Sequence, residues 1–382
     1  MDLIKDVFPE QSKNELIQYL KKKEYETFYS TKNKWPYLVI ERLSMQTGNP
    51  APGNEKINRE LVEDPFGPDK NIKPEHSFTP EDYSIMMSYG ISPGHNAPAG
   101  HHYTSEEIWS ETFSYANICP QEMTFNSGIW VLLENWCKYI SKQQKQKNFT
   151  NLRVFTGSIP DNKETELIIG DKSVMVNIPT HMFKMVCVRS KDKGNENKIY
   201  MGCFIYPNRP LDPELKENQD LYRWMVPFQT LKKLSSINFE PLLKKYYGYV
   251  ENITQFENIN DIVPVVFELT PIFKKQMLKS IWYAIIIYSS TVEQLEKNWE
   301  YCEKALIGEN LEYHKDFYNL VKKRLKNKLT QEEINELEEV SQKMSMAGEP
   351  VLNLRNERII PKPRNLLKNQ KVNFFKLLNK EK

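Results

Sequence analysis

The stretch YGISPGHNAPAGHHYTSEEIWSETFSYANICPQEMTFNSGIWVLLENWCKY, residues 89–139, decides how this chain reads. A short strand-like segment runs into a Pro/Gly-rich turn at Gly94–His95, where an imidazole can project into a cleft instead of into packed core. Further on, Asn126 begins a helix pattern carried by Ile129, Trp130, Leu132, Leu133 and Trp136. Glu134 follows eight residues after Asn126, two turns along nearly the same face. His95, Asn126 and Glu134 can therefore converge. A hard cation such as Mg2+ accepts an amide oxygen and keeps several waters, so one asparagine with a glutamate acting through water is an adequate anchor. Taken singly, a turn histidine is usually just exposed and an asparagine opening a helix is usually a cap. The order and spacing carry the reading.

Outward from this stretch, the chain divides into a mixed body and a helical end. Leu16, Ile17 and Leu20 have the spacing of a short amphipathic helix, and WPYLVIERL, residues 35–43, reads as a core strand. Residues 44–80 are rich in Pro, Gly, Asn and Asp, a long surface connection of the kind that tends to be functional. From Leu152 to Tyr206 the runs LRVFTG, ETELIIG, SVMVNIP, FKMVCVRS and IYMGCFIYP alternate with turn residues, as an antiparallel sheet requires. Beyond Val263 the pattern turns helical: FKKQMLKSIWYAIIIYSS, a second helix opened by Thr291–Gln294, a third, and a fourth opened by Thr330–Glu333, both openings having capping-box spacing. The expected organisation is an α+β body over residues 1–260, a helical extension over 261–350 and a tail over 351–382.

The chain's 382 residues, 40% hydrophobic and 12% aromatic, suffice to fill a core. The longest apolar run, Ile281–Tyr288, is far too short to cross a bilayer. No secretory signal is readable at the N-terminus, which is also too acidic for an ordinary transit peptide. Five scattered cysteines without metal-ligand spacing fit reduced core thiols. The net charge of +2 hides a polarity: Arg355–Lys382 holds nine basic residues against Glu357 and Glu381, which leaves the rest near −5. That tail, with Leu366, Leu367, Val372, Phe374, Phe375, Leu377 and Leu378, suits docking on a partner, an anionic membrane surface or nucleic acid.

Several motifs together resemble the DNA/RNA non-specific endonuclease family, the ββα-metal (His-Me finger) nucleases, and most of all its mitochondrial endonuclease/exonuclease G type. They are GHNAPAG at 94–100, TF at 112–113, NICPQ at 117–121 and NSGIWVLLE at 126–134. FTG at 155–157, VNIPTHMFK at 176–184, YPNRP at 206–210 and the run at 226–236 extend the likeness over roughly residues 35–250. The helices around 265–327 resemble the wing of the exonuclease-type members. The resemblance implies an α+β fold whose ββα-metal core carries a mixed antiparallel sheet, with a helical C-terminal extension. It implies His95 as general base toward an attacking water, Asn126 as direct ligand of Mg2+ with Mn2+ able to substitute, and Glu134 orienting metal-bound water. Asn117 would place His95 or the phosphate, and Arg59, in the long polar loop, matches a phosphate-binding arginine.

One position departs from the motif. Where the family has arginine before the glycine, this chain has Pro93, which supplies neither charge nor an N–H. His101 and His102 follow the motif, but adjacent loop histidines point apart and no carboxylate or cysteine pattern accompanies them, so they read as no second metal site. His181 reads as a packing histidine. The resemblance thus implies a nuclease hydrolysing DNA or RNA in a mitochondrial setting, with activity impaired at Pro93. The alternative is an inactive nuclease-derived scaffold, an accessory subunit of a mitochondrial assembly. The near-neutral body offers less positive field than a strong nucleic-acid binder has, and a homodimer stays open.

Overall fold

The computed structural model describes residues 2–49, 66–161, 163–169, 171–191, 198–209, 221–248, 257–259, 292–305, 312–326 and 330. Arg59, the expected first and fourth helices of the extension and the basic tail lie outside them.

An eight-stranded sheet forms the centre, in the order β1 (Ile17–Lys21), β2 (Tyr25–Ser30), β3 (Trp35–Leu43), β6 (Phe149–Ile159), β9 (His181–Ser190), β10 (Ile199–Pro207) and β11 (Met225–Val226). β12 (Glu257–Asn258) adds the one parallel pairing, to β10; all the others are antiparallel, so the sheet is mixed as expected. β3 coincides with the WPYLVIERL run. Eight of its nine residues are buried, because layers cover both faces of a central strand. Pro36 has no N–H to give the ladder, and the register between β2 and β3 shifts beside it. The five runs between residues 152 and 206 are all strands, two of them, β7 (Thr165–Ile169) and β8 (Lys172–Val176), forming a separate hairpin.

Leu16, Ile17 and Leu20 do not form the expected helix. Ile17 and Leu20 lie in β1, with Leu16 just before it; β1 pairs with β2 from Ile17↔Ser30 to Lys21↔Glu26, burying Ile17 and Leu20, while Leu16 is exposed. Three apolar residues in five positions fit either period, and the neighbouring strand decides between them. The N-terminal helix is instead α1 (Leu3–Val7).

Alternation along the central strands sends side chains to two layers. Phe155 and Phe183 meet Phe239, which precedes α7 (Glu240–Tyr247) and packs near α6 (Phe228–Ser235), with ring centroids 6.4 and 6.0 Å apart. Thr156, Ser158, Lys184 and Phe204 face the opposite layer, where Phe204 packs edge-on against Trp136 at 5.3 Å. That layer holds the hairpin of β4 (Ile91–His95) and β5 (Ile118–Glu122), then a helix: α4 (Met123–Phe125), a π turn (Asn126–Trp130) and α5 (Val131–Gln143). Two strands and a helix in this order are the ββα unit.

α2 (Pro80–Ser88) packs against β4, and α3 (Glu106–Glu111) lies in the connection from β4 to β5. The second and third helices of the extension appear as α8 (Val292–Ala305) and α9 (Glu312–Leu325), joined by Trp299–Tyr318 ring contact at 4.8 Å and a Glu296–Lys322 ion pair at 2.8 Å. Cys119, Cys137, Cys187 and Cys203 are free and buried, as reduced thiols of a core. Among the described residues no helix is long and apolar enough to cross a membrane.

Candidate active site

His95 is not in the turn but is the last residue of β4, opposite Ile118. Strand alternation places Pro93 and His95 on one face of the hairpin and Ser92, Gly94 and Asn96 on the other. The His95 ring packs in a triangle with Phe66 and Phe113, at centroid distances of 5.4 and 4.8 Å, and its Nε2 is shielded from solvent. The opposite face meets the large sheet: Cys119, across from Gly94, has its Sγ 3.1 Å from Ser158 Oγ.

Gly94 is required by Gln121. A Cβ at residue 94 would stand 2.1 Å from Gln121 Cδ and 2.3 Å from Oε1, and Gln121 is fully buried. Gly94→Ala is therefore expected to lower unfolding stability by about 1–3 kcal/mol, since a filled interior yields poorly to added volume. Urea melts of Gly94→Ala alone and combined with Gln121→Ala check this: the second change should recover part of the loss, and additivity would refute the clash.

The helix begins earlier than the sequence pattern suggests. Glu122 caps it, its carboxylate accepting from Phe125 N at 2.8 Å, so Asn126 lies inside the helix. Asn208, from the YPNRP motif, anchors this start: its Oδ1 accepts from Glu122 N at 2.7 Å and its Nδ2 donates to Pro120 O and Pro179 O at 3.1 and 2.9 Å. The π turn that follows is kinked at Gly128, with φ −105° and ψ −110°. Eight regular residues would rotate the helix roughly 80° past two turns; one residue absorbed by a π turn reduces this to roughly 20° short of them. The irregularity thus brings Asn126 and Glu134 closer to one face than a regular helix would.

Asn126 Nδ2 donates to Ser92 Oγ at 3.0 Å, and its Oδ1 accepts no hydrogen bond among the described residues. The Glu134 carboxyl, only partly exposed, likewise has no side-chain hydrogen bond or ion pair among them. Burial pushes it up to about 8, against the pull of the Lys184 ammonium and with a small addition from Glu41. Lys184 is fully buried, donating to Thr156 Oγ1 at 2.8 Å and Asn96 O at 3.3 Å, its Nζ 4.5 Å from the Trp130 ring centre.

Asn117 acts on backbone alone. Its Oδ1 accepts from Ala97 N at 2.8 Å, and its Nδ2 donates to Ala97 O and Thr112 O at 2.9 and 2.8 Å, which shapes the chain just after His95. Beyond it His101 and His102 find the carboxylates that no local pattern announces. His101 Nδ1 lies 2.9 Å from Glu41 Oε2 and its Nε2 3.0 Å from the Glu134 carbonyl. His102 bridges Glu24 at 2.7 Å and Glu41 at 3.1 Å. Both nitrogens of each ring lie within hydrogen-bond distance of an oxygen. The four side chains form an ion-pair network, buried at His101, His102 and Glu41 and partly exposed at Glu24; among the described residues no group of three or more His, Cys, Asp or Glu is arranged to hold a metal ion.

Burial works against charge on His102, but its bonds to Glu24 and Glu41 prevail and raise it to about 9; burial likewise disfavours charge on Glu41, and the two histidines overcome this, holding its carboxyl well below the usual range. The His102 contribution to stability is complete below its ordinary value near 6.5 and is lost as pH rises through 9, about 3 kcal/mol in all. Glu41 contributes above about 4.5 and loses its share as pH falls further. Urea unfolding of the native chain and His102→Gln across pH 5–10 tests the sign, and the difference between them should shrink towards pH 10.

His181 sits at the start of β9 beside Thr180, and burial together with Arg209 holds its imidazole down to about 4, as suits a packing histidine. Sequence reasoning missed Glu24, Glu41 and Lys184. VNIPTHMFK contains Lys184, but nothing in one sequence says that its ammonium turns inward.

The chain matches the model of the DNA/RNA non-specific endonuclease family over residues 2–245. It is 33% identical over 230 residues to "Nuclease EXOG, mitochondrial" of Xenopus laevis, 58% of this chain and 57% of that protein. It is 27% identical over 228 residues to "Mitochondrial nuclease" of Saccharomyces cerevisiae, 56% of this chain and 63% of that one. The chain thus spans little more than half the length of these relatives. Among solved structures, that of the EndoG/EndoGI complex aligns with a TM-score of 0.48 at 22% identity, covering 67% of this chain and 95% of that chain. The family match takes in the whole β4–β5–helix unit and every strand of the central sheet but β12, and the chain belongs to the DNA/RNA non-specific endonuclease family.

Proposed function

We propose that this protein hydrolyses phosphodiester bonds of DNA or RNA without sugar preference, with His95 as general base, and that it works in mitochondria, as the names of its relatives suggest. The observation that carries the reading is the pair of uncommitted oxygen donors, Asn126 Oδ1 and the Glu134 carboxyl, on the helix packed behind the His95 strand. A single amide oxygen with a carboxyl about two turns along the same helix suits a hard cation that keeps most of its waters, so the residues fit Mg2+, with Mn2+ as substitute. When bound at Asn126, that ion would stabilise negative charge developing on the phosphate. His95 takes the proton of the attacking water, its strand end fixed by Trp130 Nε1 on the His95 carbonyl at 3.5 Å. Glu134 orients water, Asn117 holds the backbone after His95, and Arg59 is assigned to a substrate phosphate. The division into a body to residue 260, a helical extension to 350 and a basic tail to 382 belongs to the same proposal, with the tail as a contact surface for a partner or membrane.

A second reading, an inactive scaffold in a mitochondrial assembly, draws support from Pro93. It lies on the His95 face of β4 opposite Pro120 and provides no cation there. Cleavage of labelled single- and double-stranded DNA and RNA with Mg2+ or Mn2+, beside His95→Ala, tests the choice. Activity abolished by His95→Ala supports the nuclease; an inert native chain favours the scaffold.

A further inference from the structure

The segment after His95 is tied down one carbonyl at a time. Every backbone carbonyl from His95 to His101 accepts a hydrogen bond: from Trp130 Nε1, Lys184 Nζ, Asn117 Nδ2, His101 N, His102 N, Lys138 Nζ and Gly48 N in turn. Two of these ties, and one further contact made by the His101 ring, run to one helix stripe. Trp130 at the end of the π turn and Lys138 on α5 donate to the carbonyls of His95 and Gly100, and the His101 ring meets the Glu134 carbonyl between them, so one stripe of the helix is laid along the segment.

The middle tie differs from its neighbours. Trp130 and Lys138 reach the segment at 3.5 and 3.4 Å, whereas His101 Nε2 meets the Glu134 carbonyl at 3.0 Å, and its ring is backed at Nδ1 by Glu41 at 2.9 Å. Both His101 and Glu41 are buried, and Glu41 is carried by the central strand β3. The carbonyl of Glu134 belongs to the helix ladder, so a second donor on it fixes the backbone from which the Glu134 carboxyl projects.

We propose that His101 is a positioning residue of this site: held by Glu41, its imidazole ties the α5 backbone at Glu134 to the segment that carries His95. The role in catalysis rests on the nuclease reading; the tie itself does not. Adjacent His101 and His102 divide the work, His102 closing the network toward Glu24 while His101 alone reaches the helix.

The test uses the full chain and the variants His101→Ala, His101→Gln and Glu41→Gln. Cleavage of plasmid DNA with Mg2+ gives kcat and KM, and hydrogen–deuterium exchange is followed by mass spectrometry. In His101→Ala, kcat is expected to fall about 10- to 100-fold with KM changed less than about threefold, as for a displaced catalytic group. Millimolar imidazole should restore much of the loss, and His101→Gln, which keeps one donor, should lie between. Exchange should quicken around residues 95–102 and 134–138 and not across the sheet. A folded His101→Ala with native kcat overturns the proposal, as does exchange that rises uniformly or nowhere. An inactive native chain removes the nuclease reading, and exchange alone then decides whether the tie exists.

Discussion

Pro93→Arg is expected to raise cleavage of DNA and RNA by ~10- to 1,000-fold, the largest gain any single substitution in this chain should produce. Residues 93 and 95 are two apart on β4, so their side chains share a face, and Pro93 is partly exposed. An arginine there would offer phosphate oxygens a permanent charge and a fork of donors beside the imidazole. Hydrogen bonds to charged groups are worth about 1.5–3 kcal/mol, more where charge develops in a transition state. The measurement compares rates on one labelled duplex for the native chain and Pro93→Arg. Cleavage by Pro93→Arg alone would describe an enzyme disabled at one residue. Equal rates would mean that phosphate does not lie on this face of the hairpin, and the proposed site would have to be moved.

Glu134→Gln should part stability from activity. Its carboxyl, raised to about 8 by burial, is protonated more readily in the folded chain than in the unfolded one. The sign is therefore a native stability that declines as pH climbs from about 4.5 to 8 and levels off above. Glutamine has no such charge to bury, so with a chelator present the variant should be more stable than the native chain at pH 9, on the order of 2–4 kcal/mol after allowance for the partly exposed carboxyl, and indistinguishable from it at pH 4.5. In the same variant, cleavage with Mg2+ should fall roughly 100-fold or more. A gain in stability bought with lost function marks a group kept for chemistry. A variant unchanged in both respects would make Glu134 an ordinary helix carboxylate.

The sequence discloses what local pattern controls. WPYLVIERL announces β3 because both its faces are covered, and the alternating runs after Leu152 announce their strands because turn residues delimit them. Leu16 to Leu20 failed because so short a run carries two periods at once. The helix start at Glu122 was missed because its cap depends on Asn208, 86 residues away. His101 and His102 were read as having no carboxylate partners, and that was wrong: the carboxylates exist, at Glu24 and Glu41, and only folding brings them near. Lys184 was hidden in the same way, since a buried lysine and a surface lysine are written alike.

These separations also order events in time. Asn96 waits for Lys184, 88 residues on, and the helix start waits for Asn208, so no shorter nascent chain can hold the hairpin in its final place. Contacts so distant along the chain carry a large loop-closure cost and slow folding. On a ribosome, the pieces of the site at residues 93–134 emerge early but are assembled only once the strand ending at Pro207 has been made. A chain cut short before that point would carry every candidate catalytic residue and no site.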